Sequence, residues 1–376
     1  MQLYNEIERQ LTALSDVVIM NETSRADLHD TFQILTKDSL QQSIRPPFKG
    51  LSRINPNGLP FQWSFCLNNA RPTVRFVCEA GVPGTTAYTR YKLSLQKLAT
   101  LCHRLNFPYP DWLTDKVLKQ VMPSINDWPD WWESALWFAV AASDKQINLK
   151  IYLNLNYGVP LHRWRRVGRV LQGLDRHECL TQLCKLSEKV SHESWPTGLA
   201  IDILPNGEAG RVKIYFHSGE VSRDWLDNWY RALAADSELP YINRMLELFP
   251  WPQEEPYPSK AFFVSLEFGV NGGVSLKTDL TVSRWMPQDS EIISATSRFA
   301  ESLGLSVNAY LNALKAIGLR TMDSSLPSSH HLVGFGYETD GSRHINVYCE
   351  PPLKLVPARP LNTLQSCSSI HAGAVQ

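Results

Sequence analysis

Residues 146–156 read QINLKIYLNLN. Ile147, Leu149, Ile151, Leu153 and Leu155 fall on one parity, while Asn148, Lys150, Tyr152, Asn154 and Asn156 fall on the other. Strict alternation over eleven residues is the signature of a strand with one apolar and one polar face. The pattern recurs outward from there. Residues 211–217 set Val212, Ile214 and Phe216 against Arg211, Lys213, Tyr215 and His217, and residues 74–79 set Val74, Phe76 and Cys78 against Arg75, Val77 and Glu79. Residues 274–281 and 344–349 repeat it with Lys277 and with Asn346 and Tyr348 on the polar face.

Each of these strands follows another apolar run, at 60–68, 134–142, 198–204, 261–269 and 331–338. Several of the joints carry hairpin residues: Pro205-Asn206-Gly207, Asn271-Gly272-Gly273 and Asp340-Gly341. Stretches with helical periodicity separate the hairpins at 85–105, 160–190, 221–248 and 288–318, and two more candidate helices lie near 3–18 and 24–42. Equivalent polar-face positions (Arg75, Lys150, Lys213, Lys277 and Asn346) recur at intervals of 75, 63, 64 and 69 residues. The chain is therefore expected to be five copies of a hairpin plus a helical segment.

Ten strands with one apolar face each must bury that face, and the helices are numerous enough to cover it. Closing the sheet removes its edges and turns the polar face inward. The expected fold is α+β: a ten-stranded antiparallel barrel with helices outside and a ligand site in the lumen. One domain is expected over 1–356, with the helices of 1–44 packed on it and a mobile Ser-rich tail at 357–376.

Composition narrows the function. Lys plus Arg and Asp plus Glu both number 37 in 376 residues, so the net charge is zero. A nucleic-acid binder needs an excess of positive charge, so none is expected as partner. Seven cysteines without a C-x-x-C pair argue against disulfides or a zinc site and for a reducing cytoplasm. No apolar run reaches membrane-spanning length. No D-D-x-x-D, Walker or G-x-G-x-x-G sequence occurs.

The informative feature is a basic residue with Tyr two positions on, as in Lys150-x-Tyr152 and Arg211-x-Lys213-x-Tyr215, with Arg75, Lys277 and Tyr348 at comparable places. One such tripeptide is ordinary on a solvated strand. Repeated in register on a lumen face, about five cations would converge and repel one another unless an anion lay among them. A pyrophosphate suits Arg forks and Lys ammonium groups. Tyr rings beside it suit a cation. Together they describe an ionising allylic diphosphate.

At this point the runs GLPFQWSFCLN (58–68), TVRFVCEAG (73–81), LKIYLNL (149–155), RVKIYF (211–216), VSLEFGVNGGVSLKTDL (264–280) and INVYCEPP (345–352) resemble the dimethylallyltryptophan synthase superfamily, over roughly residues 45–355. Within it the chain is most similar to the bacterial indole branch, which includes tryptophan and indolactam prenyltransferases. The resemblance implies that Arg75, Lys150, Arg211, Lys213 and Lys277 bind the diphosphate. It implies that Tyr152, Tyr215 and Tyr348 shield the allyl cation, and that Gln62 stands where many members carry a Glu that accepts the indole N–H. Gln accepts that bond but is a very poor base, which favours attack by a ring carbon over N1-prenylation. The strand 134–142 lacks the Lys that C4-specific members carry, and Asp279 stands where Tyr is expected.

The activity implied is electrophilic transfer of a dimethylallyl or geranyl group from its diphosphate to a ring carbon of an indole such as indolactam V, with no metal or other cofactor. The rivals are a tryptophan or tyrosine acceptor, and a non-catalytic barrel that binds an anion. Asp202, Glu267 and His217 are candidates for the base by strand parity alone.

Overall fold

The computed structural model describes residues 2–353 apart from 42–51, 69–71, 83, 133, 191–193, 220, 250–256, 258–260, 271, 284, 320–327 and 339. The expected tail at 357–376 and part of the turn at 271–273 lie outside the described residues.

Two amphipathic helices open the chain, α1 (Leu3–Val18) and α2 (Glu22–Leu40). They lead to the first hairpin, β1 (Phe61–Leu67) and β2 (Val74–Cys78). The helix α3 (Ala87–Arg104), a π-helical turn (Leu113–Leu118) and the short α4 (Lys119–Val121) follow. The second hairpin is β3 (Leu136–Ala142) and β4 (Ile147–Asn154), then come α5 (Pro160–Gly173) and α6 (His177–Val190). The third is β5 (Ser194–Ile203) and β6 (Ala209–Ser218), followed by α7 (Arg223–Ala232) and α8 (Leu239–Leu248). The fourth is β7 (Phe262–Phe268) and β8 (Val274–Thr281), followed by α9 (Asp289–Ser302) and α10 (Asn308–Ile317). The last is β9 (His330–Tyr337) and β10 (Arg343–Cys349).

All ten strands pair antiparallel with their sequence neighbours, and β1 pairs with β10 to close the barrel. Closure leaves no strand edge exposed, which is the physical answer to ten consecutive hairpin strands. The apolar parity faces outward: Ile151, Leu153, Ile214, Phe216, Leu266 and Val347 are all at most 1% exposed beneath the helices. The N-terminal helices belong to this jacket. Phe32 of α2 meets Phe61 and Phe76 edge-on at 5.8 and 5.9 Å, and Gln10 of α1 accepts a hydrogen bond from the Trp63 indole at 2.9 Å.

Three of the predicted helical stretches are broken in two. Asp175, Ala234 and Gly304 take positive φ values of 59°, 54° and 69°, each just past the end of a helix. Such a residue stops a helix by turning the chain into the left-handed region. Strand β5 starts at Ser194, four residues before the alternating pattern announces it, with a register irregularity between Pro196 and Gly198. Among the described residues, no helix is long and apolar enough to cross a membrane.

Candidate active site

The lumen is built by an unequal division between the strands of three hairpins. The second strands carry Lys150, Lys213 and Lys277, and the first strand of the same hairpin offers a small residue opposite each, while Asp202 and Glu267 stand on first strands opposite Lys150 and Lys213 of neighbouring hairpins. Ala139 pairs with Lys150, and Ala200 with both Tyr152 and Lys213. Ser265 pairs with Tyr215 and Lys277, and Gly336 with Lys277 and His344. At two glycines an added Cβ would displace a lumen side chain. A Cβ on Gly334 would overlap Asp279 Oδ1 and lie 2.6 Å from Lys277 Cε, and one on Gly336 would lie 2.6 Å from the His344 ring. Gly in a strand interior commonly marks such a close approach.

The structure brings the five expected basic residues into one electrostatic neighbourhood. Burial and the charges of Lys277 and Lys150 push Lys213 down to about 8, against the opposing carboxylates of Glu267 and Asp279. Burial, Lys277, Lys213 and Arg75 push His344 down to about 3, so this lumen histidine is neutral at neutral pH. Lys150 in turn feels Arg211.

The expectation of unbalanced cations is corrected, because Asp202, Glu267 and Asp279 sit among them and Glu338 acts on Arg211 and Lys213. Asp202 lies 3.2 Å from Lys150 Nζ and 2.8 Å from Arg211 Nε. Glu267 pairs with Arg211 and lies 3.6 Å from Lys213 Nζ, and Asp279 pairs with Lys277. Burial alone would raise the Glu267 carboxyl, but Lys213, Lys150 and Arg211 hold it at about 2. Lys277 is driven above its ordinary value, with burial outweighed by Asp279 and Tyr348. Asp202 and Glu267 thus serve as counter-ions where strand parity had suggested a base. Arg75 is the exception: among the described residues its hydrogen bond goes to the Asn346 amide oxygen at 3.3 Å and to no carboxylate. Five cations against the four carboxylates Asp202, Glu267, Asp279 and Glu338 leave this part of the lumen positive by one charge.

The three tyrosines close around the cations. The rings of Tyr152 and Tyr215 are 5.9 Å apart at 40°. Lys213 Nζ lies 5.6 Å from the centre of the Tyr215 ring. Lys277 Nζ lies 4.8 Å from the centre of the Tyr348 ring and 3.1 Å from its hydroxyl oxygen. Burial, then Tyr152 and Tyr348, raises Tyr215 far above an ordinary phenol, so it remains protonated. Trp137, missed in the sequence, pairs with Tyr152 across β3 and β4, and its buried indole N–H has no partner among the described residues.

Gln62 is 4% exposed and its orientation is fixed by an asparagine. Asn55 donates through Nδ2 to the carbonyls of Leu59 (2.9 Å) and Phe61 (2.7 Å), which leaves Oδ1 to accept from Gln62 Nε2 at 2.9 Å. One of the two N–H groups of the Gln62 amide is thereby used. Its carbonyl oxygen, with no donor among the described residues, is the acceptor it presents. Other features singled out in the sequence are structural. His330 bridges Asp289 and the Tyr310 hydroxyl at 2.6 Å each. Trp128 and Trp132 stack in a corner with Tyr88, Tyr91 and Tyr157.

The interior of the closed barrel sets a cationic ledge beside a wall of phenols, an arrangement whose chemistry suits an anionic group next to an electron-poor carbon. The family model described as tryptophan dimethylallyltransferase matches residues 37–313, and the chain belongs to that family. It is an aromatic prenyltransferase. In fold it is similar to the 5-dimethylallyltryptophan synthase of Streptomyces coelicolor, solved with DMASPP and Trp, at 18% identity and a TM-score of 0.74, covering 95% of this chain and 99% of that one. The 6-dimethylallyltryptophan synthase of Micromonospora olivasterospora, likewise solved with DMASPP and Trp, gives 15% and 0.76 over 93% and 98%. AnaPT of Neosartorya fischeri gives 16% and 0.71 over 91% of both chains. No curated protein matches the sequence.

Proposed function

We propose that the protein transfers a dimethylallyl or geranyl group from its diphosphate to a ring carbon of an indole acceptor such as indolactam V, without a metal. The observation that carries this is the net-positive ledge in contact with Tyr152, Tyr215 and Tyr348. Ionisation of the donor puts negative charge on the leaving diphosphate, where Arg75, Lys150, Arg211, Lys213 and Lys277 stabilise it. The diphosphate competes with Asp202 and Glu267 for the same cations. The tyrosine faces stabilise the allyl cation and keep water from it. Gln62 Oε1 accepts the indole N–H and, being a poor base, leaves a ring carbon to attack.

Tryptophan is the second acceptor reading, favoured by the similar bacterial structures that hold Trp. The experiment is an assay of EDTA-treated protein with dimethylallyl and geranyl diphosphates against indolactam V, tryptophan and tyrosine, read by mass spectrometry. One isoprenyl unit gained by an indole supports the proposal, and the best pair names donor and acceptor. Activity restored only by added magnesium overturns the metal-free step. Tight diphosphate binding with no product from any pair overturns the transfer itself.

A further inference from the structure

Aromatic substitution ends with the loss of a ring proton, so a base must stand near the attacked carbon. The lumen carboxylates Asp202, Glu267 and Asp279 are each committed to a cation, and Glu338, 3.4 Å from the His344 ring, has 39% of its side chain open to solvent. Glu79 is fully engaged as well: Oε1 takes Arg90 Nε at 2.8 Å, and Oε2 takes the hydroxyls of Ser52 and Ser134 at 2.7 Å each. Glu350 is different. Its Oε2 accepts one hydrogen bond, from Asn57 Nδ2 at 2.6 Å, and no cation among the described residues pairs with it.

We infer that Glu350 is the base that takes the ring proton, and that Asn57 positions it. This rests on the transfer proposed above. Glu350 directly follows Cys349, the last residue of β10, and lies two residues, about 7 Å of extended chain, beyond Tyr348. Trp63 pairs with Cys349 at the end of β10, and carrying that register one residue past the strand would set Glu350 opposite Gln62. An indole held by Gln62 with a carbon toward the tyrosines therefore lies between Tyr348 and Glu350. Asn57 is oriented by its own turn, since its Oδ1 accepts from the Leu59 amide at 2.9 Å and leaves Nδ2 for the carboxylate. One short loop thus contacts both groups: Asn55 accepts from the Gln62 amide, and Asn57 donates to Glu350.

Burial, opposed by the Asn57 hydrogen bond and reinforced by the charge of Asp289, raises Glu350 to about 7. Asp289, which is bonded to His330, is the charged group that acts on it. A conjugate acid near the working pH suits a general base.

The step balances without a further reactant. The allyl carbon has bonded to the ring and its bond to diphosphate oxygen has broken. The ring C–H bond then breaks, its proton passes to Glu350 Oε1, and its electron pair restores the aromatic ring. The proton leaves to solvent as product departs.

The test compares the wild-type protein with Glu350→Gln and Asn57→Ala, using an indole acceptor deuterated at the alkylated carbon. In Glu350→Gln we expect kcat to fall about 100-fold or more, with KM and diphosphate binding nearly unchanged. A primary deuterium isotope effect should emerge where the wild type shows little, because proton loss has become the slow step. Asn57→Ala should lie between the two. The wild-type kcat should also decline as pH falls through about 7. A kcat within threefold of wild type and no isotope effect in Glu350→Gln overturns the inference. A flat wild-type kcat from pH 5.5 to 8 overturns it even if that variant fails to fold. Absence of product from the wild type with every acceptor overturns the proposed transfer, and this inference with it.

Discussion

The Lys277 ammonium lies 3.1 Å from the Tyr348 hydroxyl oxygen and 4.8 Å from the centre of the same ring, so one contact joins the charged ledge to the phenol wall. The two functions of Tyr348 are therefore separable. Tyr348→Phe removes the hydroxyl and keeps the face, and should cost less than about tenfold in kcat/KM, the worth of one ordinary hydrogen bond. Tyr348→Ala removes the face as well. It should divert a larger share of donor to the allylic alcohol, measured as alcohol against prenylated product.

Lys213 gives the donor site a pH dependence with a definite sign. Its free ammonium titrates at about 8, and a bound diphosphate favours the charged form. Diphosphate affinity should therefore fall as pH rises through about 8. Calorimetric titrations between pH 7 and 9.5 measure it. Lys213→Arg keeps its charge throughout and should flatten the curve.

Glu267 links the same ion pairs to acid stability. Its folded value of about 2 lies below the ordinary 4.5, so its stabilising contribution is present above 4.5 and is lost as pH falls toward 2. Glu267→Gln should make unfolding less pH-dependent in that window, followed by denaturant titration at several pH values. The variant should also bind diphosphate more tightly at pH 7, because an incoming anion no longer competes with this carboxylate.

Gly334 predicts a purely geometric lesion. Gly334→Ala puts a methyl group against Asp279 and Lys277 and should move that pair while leaving the outer core of the barrel intact. A displacement of about 1 Å at a reacting centre costs on the order of 100-fold in rate. Normal circular dichroism with kcat/KM lowered by that order is the expected result.

The barrel was legible because its signal is local. The alternation at Ile147–Asn154 and Ala209–Ser218 sits in consecutive residues, and the recurrence of Arg75, Lys150, Lys213 and Lys277 gives the repeat. The start of β5 was hidden because Trp195-Pro196-Thr197-Gly198 reads as a turn, and the structure accommodates it with an irregular register. Same-face pairs such as Lys150 and Tyr152 were visible for the same reason as the strands. The counter-ions were not. Lys150 meets Asp202, and Lys213 meets Glu267, across rungs whose register no single strand reveals. Asn55, Asn57 and Glu350 act through the loop before β1, where neither strand nor helix periodicity marks a role.

The small residue that faces each of Lys150, Lys213 and Lys277 within its own hairpin has a consequence for how such a barrel can change. Ala139, Ala200 and Ser265 set volume, while Lys150, Lys213 and Lys277 set charge, and the two sets occupy different stretches of chain. Mutation can therefore enlarge or narrow the chamber without disturbing the group that departs from the donor. A lineage built this way can explore new acceptors one side chain at a time while its ionisation chemistry stays fixed.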